Sequence, residues 1–225
     1  MTTFSEGNYL SDVLKWEEDG QYSREEVTVL AGSGSARTLL VGTVIGKATK
    51  DASAIVLSAV TGSGDGVRTA GAVGAKGVPG VYRATCITAG ATGVFEIEDP
   101  DGKQLQTNVT IGGGATNVDD HFTITIADGS ADYAVGDTFT ITISAGTGKV
   151  VQLAPSATDG TEDAYGIIGA TVTAPDGTDK KSFAIVRDAV VSEDGLVWPG
   201  GISAADKATA IAALAAKGII IRDGV

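Results

Sequence analysis

Phe122-Thr123-Ile124-Thr125-Ile126 recurs unchanged as Phe139-Thr140-Ile141-Thr142-Ile143. In each copy the large apolar residues alternate with threonine, so one face is greasy and the other polar. That period of two is the mark of a half-buried strand. The intervening Asp-Gly-Ser-Ala-Asp-Tyr-Ala-Val-Gly-Asp, residues 128–137, reads as a loop. The repetition is most simply two similar strands. Working outward, Tyr82, Ala84 and Cys86 share a face, as do Phe95 and Ile97, and Val109 and Ile111 mark another strand. Asp99-Pro100-Asp101-Gly102 is a turn, with proline where φ must be near −65° and glycine where a left-handed residue is wanted. With the glycine-rich stretch 61–80 at its start, the segment 59–147 reads as an inserted all-β domain, sandwich or barrel-like.

The flanks have a different texture. Glu26-Val27-Thr28-Val29 alternates as a strand, and further apolar stretches follow at 39–47 and at Ala54-Ile55-Val56-Leu57. After residue 148, short apolar runs are separated by Asp-Gly turns. Ser203 is placed to cap a helix, with Asp206 near its positive end. Ala208, Ile211, Ala212 and Ala215 repeat at helical spacing, and Leu214 lies alongside. Gly218 stops the helix, and Ile219-Ile220-Ile221 forms a closing strand. The fold class expected is mainly β with one C-terminal α-helix: a compact β-rich core of residues 23–58 and 148–225, interrupted by 59–147.

Residues 1–22 stand apart. Between Met1 and Glu26 there are seven acids and two bases, yet the segment carries Phe4, Tyr9, Leu10, Val13, Leu14 and Trp16. It is too short and too charged to hold a helix alone. It reads as an arm that orders against another surface, with Tyr9, Leu10, Val13, Leu14 and Trp16 as anchors; packing on its own domain is the alternative.

Composition narrows the function classes. The net charge of −12 argues against binding nucleic acid or an anionic membrane. With Cys86 as the sole cysteine, no disulfide can form within the chain, and no leader-like or membrane-spanning run is seen, so synthesis in a cytoplasm is expected. His121 is the only histidine, and nothing in the sequence pairs it with a nucleophile. One histidine and one cysteine are too few for zinc. Asp99 and Asp101 open like a calcium loop, but the twelfth position is Thr110, where an acid is required. Asp119 and Asp120 are read with them as turn residues. No catalytic residue, metal or cofactor is expected, and the chain is not expected to be an enzyme.

Four stretches in order carry a family likeness: Ser23-Arg24-Glu25-Glu26-Val27-Thr28-Val29; Val41-Gly42-Thr43-Val44-Ile45-Gly46-Lys47; Ala157-Thr158-Asp159-Gly160-Thr161-Glu162 with Tyr165-Gly166-Ile167-Ile168; and Leu196-Val197-Trp198-Pro199 followed by the helix and Gly218-Ile219-Ile220-Ile221-Arg222. Together they resemble the head decoration proteins of tailed phages, the family that includes protein D of phage lambda. The likeness covers about half the chain and leaves 59–147 outside it. It implies a homotrimer on the outer surface of the expanded head, cementing the shell, with segment 1–22 contacting the major capsid protein. Trp198 and Pro199 are read as a contact within the core or between trimer subunits. The rival reading is a β-rich cell-surface or glycan-binding module, with 59–147 as the binding part.

Overall fold

The computed structural model describes residues 8–224. Its strands in chain order are β1 Leu14–Glu17, β2 Arg24–Val29, β3 Arg37–Leu39, β4 Val44–Lys47, β5 Lys50–Leu57, β6 Arg68–Val73, β7 Gly80–Thr88, β8 Val94–Glu98 and β9 Gln104–Thr110. They continue with β10 Thr116–Val118, β11 Phe122–Ile126, β12 Thr138–Ala145, β13 Val150–Gln152, β14 Ala164–Ile168, β15 Val172–Ala174, β16 Lys180–Ile185, β17 Ala189–Ser192 and β18 Ile219–Arg222. Two single-turn helices, α1 Leu10–Val13 and α2 Gly20–Ser23, precede the main helix α3 Ala204–Ala215. The protein is mainly β with one C-terminal helix. The chain divides into two compact units, residues up to 48 together with those from 148 onward, and residues 49–147.

In the first unit, β13-β2-β16-β14-β4 close into a barrel. Alternation along β2 buries Val27 and Val29 and leaves Glu26 outside. Closure is tight at Gly46, where an added Cβ would stand 2.1 Å from the Thr161 carbonyl oxygen, so only glycine fits. A second sheet, β1-β17-β18, packs one face on a core of Val13, Val44, Ile167, Val191, Leu214 and Ile219. Helix α3 starts where Ser203 Oγ accepts from the Asp206 amide, and it stops before Gly218, whose φ is +77°. Its inward residues are Ala210 and Leu214; Ala208, Ala212 and Ala215 face outward. This corrects the expected stripe. Both faces of the helix are alanine-rich, so the position of its one leucine decides which side turns to the core.

In the second unit, a five-stranded sheet β5-β12-β7-β8-β9 and a three-stranded sheet β10-β11-β6 share one core. The two Phe-Thr-Ile-Thr-Ile strands lie in different sheets. Phe122, Ile124 and Ile126 from β11 and Phe139, Ile141 and Ile143 from β12 are all buried in that common core. The arrangement is a sandwich, and the barrel belongs to the other unit. Strand β5 pairs with β12 from Ile55↔Ile143 to Leu57↔Ile141. Ala54–Leu57, grouped with the flank from sequence, therefore belong to the second unit. The loop at 128–137 also contributes core. Tyr133 is buried there, donating to the Gly66 carbonyl at 2.8 Å with its ring against Gly64. An added Cβ on Gly64 would meet that ring at 2.2 Å, which explains part of the glycine richness at 61–80.

Candidate docking surface

The groups that the sequence singles out as candidates for chemistry are engaged structurally. His121 Nδ1 lies 3.1 Å from the Tyr82 hydroxyl, and burial lowers its pKa below the usual imidazole value. Cys86 is buried, its Sγ donates to the Thr88 carbonyl, and burial raises its pKa. Asp99 Oδ1 accepts from the amides of Asp101 and Lys103, closing its own turn. Asp119 pairs with Lys76 at 3.0 Å, and that ion pair holds its carboxyl below the ordinary range. The Asp137 carboxylate, nearly inaccessible, accepts from the amides of Ser63, Gly64 and Ala134, which outweigh its burial and lower its pKa. Among the described residues no three His, Cys, Asp or Glu side chains gather as metal ligands do.

The most distinctive surface feature is on the N-terminal segment. Residues 1–7, including Phe4, lie outside the described residues. From Asn8 onward the chain is stitched to the first unit. Asn8 Nδ2 donates to the Gly195 carbonyl at 3.1 Å, and the Tyr9 amide donates to Asp12 Oδ2 at 2.8 Å, starting α1. Strand β1 then pairs antiparallel with β17, Leu14 opposite Val191 and Trp16 opposite Val190, across a bulge. Arg24 grips Glu17 through two hydrogen bonds of 2.9 and 2.6 Å. Ser23 Oγ donates to the Asp188 carbonyl.

The five expected anchors therefore separate. Val13 is fully buried in the unit's own core, with Leu10 and Leu14 packed against it. This differs from an arm whose anchors all wait for a partner, because the α1 turn delivers Val13 to the unit's own core and the bulge between Leu14 and Trp16 breaks the alternation of β1, leaving Leu14 inward and Trp16 outward. Tyr9 and Trp16 point out, 60% and 52% exposed. Trp198 is half-buried against the same core, with the Lys207 ammonium 5.3 Å from its ring centre; Pro199 is also half-buried.

Sequence reading missed the rest of this surface. Strands β17 and β18 are parallel, with Val190 beside Ile220. Trp16, Val190 and Ile220 thus form one row across three strands on the outward face. Ile220 is 49% exposed and Tyr22, at the end of the row, 50%. The isoleucine run 219–221 is the only sequence signal, since a strand buried on one face needs only alternate apolar residues. Single exposed apolar residues are ordinary, but a contiguous row of large ones marks an interaction surface.

The first unit is thus a β-barrel joined to a sheet with an outward aromatic and aliphatic row. A family model described as Bacteriophage lambda head decoration protein D matches residues 3–98 and 108–219. The chain belongs to that family, and so is a phage head decoration protein, a structural component of the outer surface of the virion head that binds the capsid. The match runs through most of residues 59–147, which the sequence likeness leaves out. No curated protein and no solved structure matches the chain.

Proposed function

We propose that this protein binds as a homotrimer to the outer surface of the expanded phage head and stabilises the shell, its N-terminal segment contacting the major capsid protein. In this reading the first unit is the decoration core and the second an insertion into it. The family match is the observation that carries it. The exposed Tyr9 and Trp16 support the N-terminal contact, because large apolar side chains left in water gain most from a partner. The net charge of −12 favours a protein partner over nucleic acid or an anionic membrane. Synthesis in the host cytoplasm, followed by attachment from outside, fits a chain with a single buried thiol.

The mechanism is linkage. A ligand that binds the assembled, expanded lattice and not its separated subunits stabilises the lattice by mass action. Three copies around an axis form a closed ring that can engage several capsid subunits at once, so weak contacts add through effective concentration. No chemical step is required.

The test is to mix the purified protein with undecorated expanded heads and follow co-sedimentation and thermal disruption of the shell. Decorated heads should withstand higher temperature, and the free protein should sediment as a trimer. Failure to co-sediment with expanded heads defeats the reading. Tyr9→Ala, at an exposed position, should weaken binding without loss of fold; unchanged affinity removes Tyr9 from the contact.

A further inference from the structure

We propose that the groove on the outward face of β1, β17 and β18 receives a segment of the major capsid protein that presents an arginine or lysine next to a large apolar side chain. The inference rests on the capsid-binding reading above and names the surface and the chemistry that perform it.

The groove has a volume of about 630 Å³ and is lined by Trp16, Tyr22, Val190 and Ile220 with the backbone of Gly218 and the carboxylate-bearing Glu18 and Asp188. That volume suits one or two large side chains. Glu18 and Asp188 are its charged lining residues, and both are acidic. Neither is ion-paired among the described residues. The nearest acids in sequence are engaged elsewhere: Glu17 with Arg24, and Asp19 as cap of α2. Of the cations nearby, Arg222 shares the outward face of β18 with Ile220, and the Arg187 guanidinium lies 5.2 Å from the centre of the Tyr22 ring. Arg187 pairs with Glu25 and donates to the Tyr22 carbonyl, while Lys217 Nζ donates to the carbonyls of Ala164 and Tyr165 at 2.8 and 3.1 Å. The groove is therefore an aromatic and aliphatic trough with two free negative charges.

That combination specifies its occupant. Arginine and lysine carry an apolar stem and a cationic head, so the stem can lie on Val190 and Ile220 while the head meets Glu18 or Asp188. The face of Trp16 adds attraction for the same cation, while the Tyr22 ring already carries Arg187. A second copy of this chain is the competing occupant, and the sedimentation arm of the test below separates it from a capsid segment.

The experiment titrates undecorated expanded heads with the wild-type protein, Trp16→Ala, Ile220→Ser, and the double variant Glu18→Gln with Asp188→Asn. Asn at position 188 is chosen because Asp188 has φ of +41°, which Asn also tolerates. Each variant should bind at least tenfold more weakly, and the double variant should also lose part of the salt dependence of binding. The double variant keeps side-chain shape, so its affinity decides the matter if circular dichroism shows that Trp16→Ala or Ile220→Ser fails to fold. If the wild type binds heads and the folded variants bind within twofold of it, the groove proposal is overturned and the capsid-binding reading stands. If the wild type binds no heads, the reading itself fails and the proposal falls with it. If the variants change the protein from trimer to monomer on sedimentation, the occupant is a second copy, and the proposal is overturned on that ground.

Discussion

The two units place their aromatic residues in opposite ways. In the second unit Tyr82, Phe95, Phe122, Tyr133 and Phe139 are all fully buried and meet edge to face, Phe95 touching Tyr133 at 5.1 Å and Phe139 at 5.4 Å between ring centres. In the first unit the fully buried core is valine, isoleucine, leucine and alanine; Tyr165, Phe183 and Trp198 are half-buried, and Tyr9, Trp16 and Tyr22 are half or more exposed. Interlocked rings hold two sheets together; rings half or more in water contribute less to the core. The same residue type thus fills the core in one unit and lies partly at the surface in the other.

The sharpest way to break that contrast is Phe95→Ala. It removes a ring with two ring partners from the second unit and should cost about 3–5 kcal/mol, read as a lower urea midpoint. A smaller loss is expected in the first unit, where the closest approach is backbone on backbone. Gly46→Ala drives a methyl into the Thr161 carbonyl and should cost about 1–3 kcal/mol by the same measurement, without changing the near-ultraviolet signal of the buried rings.

The buried edge of the second unit gives a pH effect. Burial holds the folded-state pKa of His121 below its ordinary value of 6.5, so the folded chain resists protonation that the unfolded chain accepts. Stability from this source is complete above that ordinary value and is lost as pH falls through the lower folded one. The stability gap between wild type and His121→Gln should therefore shift against the wild type as pH falls below the ordinary imidazole value. A gap that does not move with pH would remove His121 from the account. Least of all should Trp16→Ala matter to folding: within about 0.5 kcal/mol in the urea midpoint, since the ring is half in water. A loss as large as that of Phe95→Ala would erase the distinction between the two sets of rings.

The candidate surface is half legible in the sequence. Trp16 and Tyr9 stand out as large apolar residues in an acidic stretch, and both are exposed. Val190 and Ile220 do not stand out, because they join Trp16 only through strand pairings that span 174 and 30 residues of sequence. Spacing groups Val13 with the anchors, because its place near Tyr9 and Trp16 cannot show that one turn of helix faces its own core. Trp198 carries a signal of size alone, and size does not say which surface a ring meets.

What the chain determined by itself is whatever depends on neighbours in sequence. Alternation in Phe122–Ile126 and Phe139–Ile143 made strands and chose their buried faces; Ser203 and Gly218 bounded a helix; the ordered flanking stretches announced the family. The tertiary structure decided what depends on distant partners. It sent β5 to β12, put Tyr133 against Gly64, chose the Ala210 and Leu214 side of α3, and laid β1 beside β17. Local pattern fixes which atoms a segment can bury, but only the closing of long loops fixes what it buries them against.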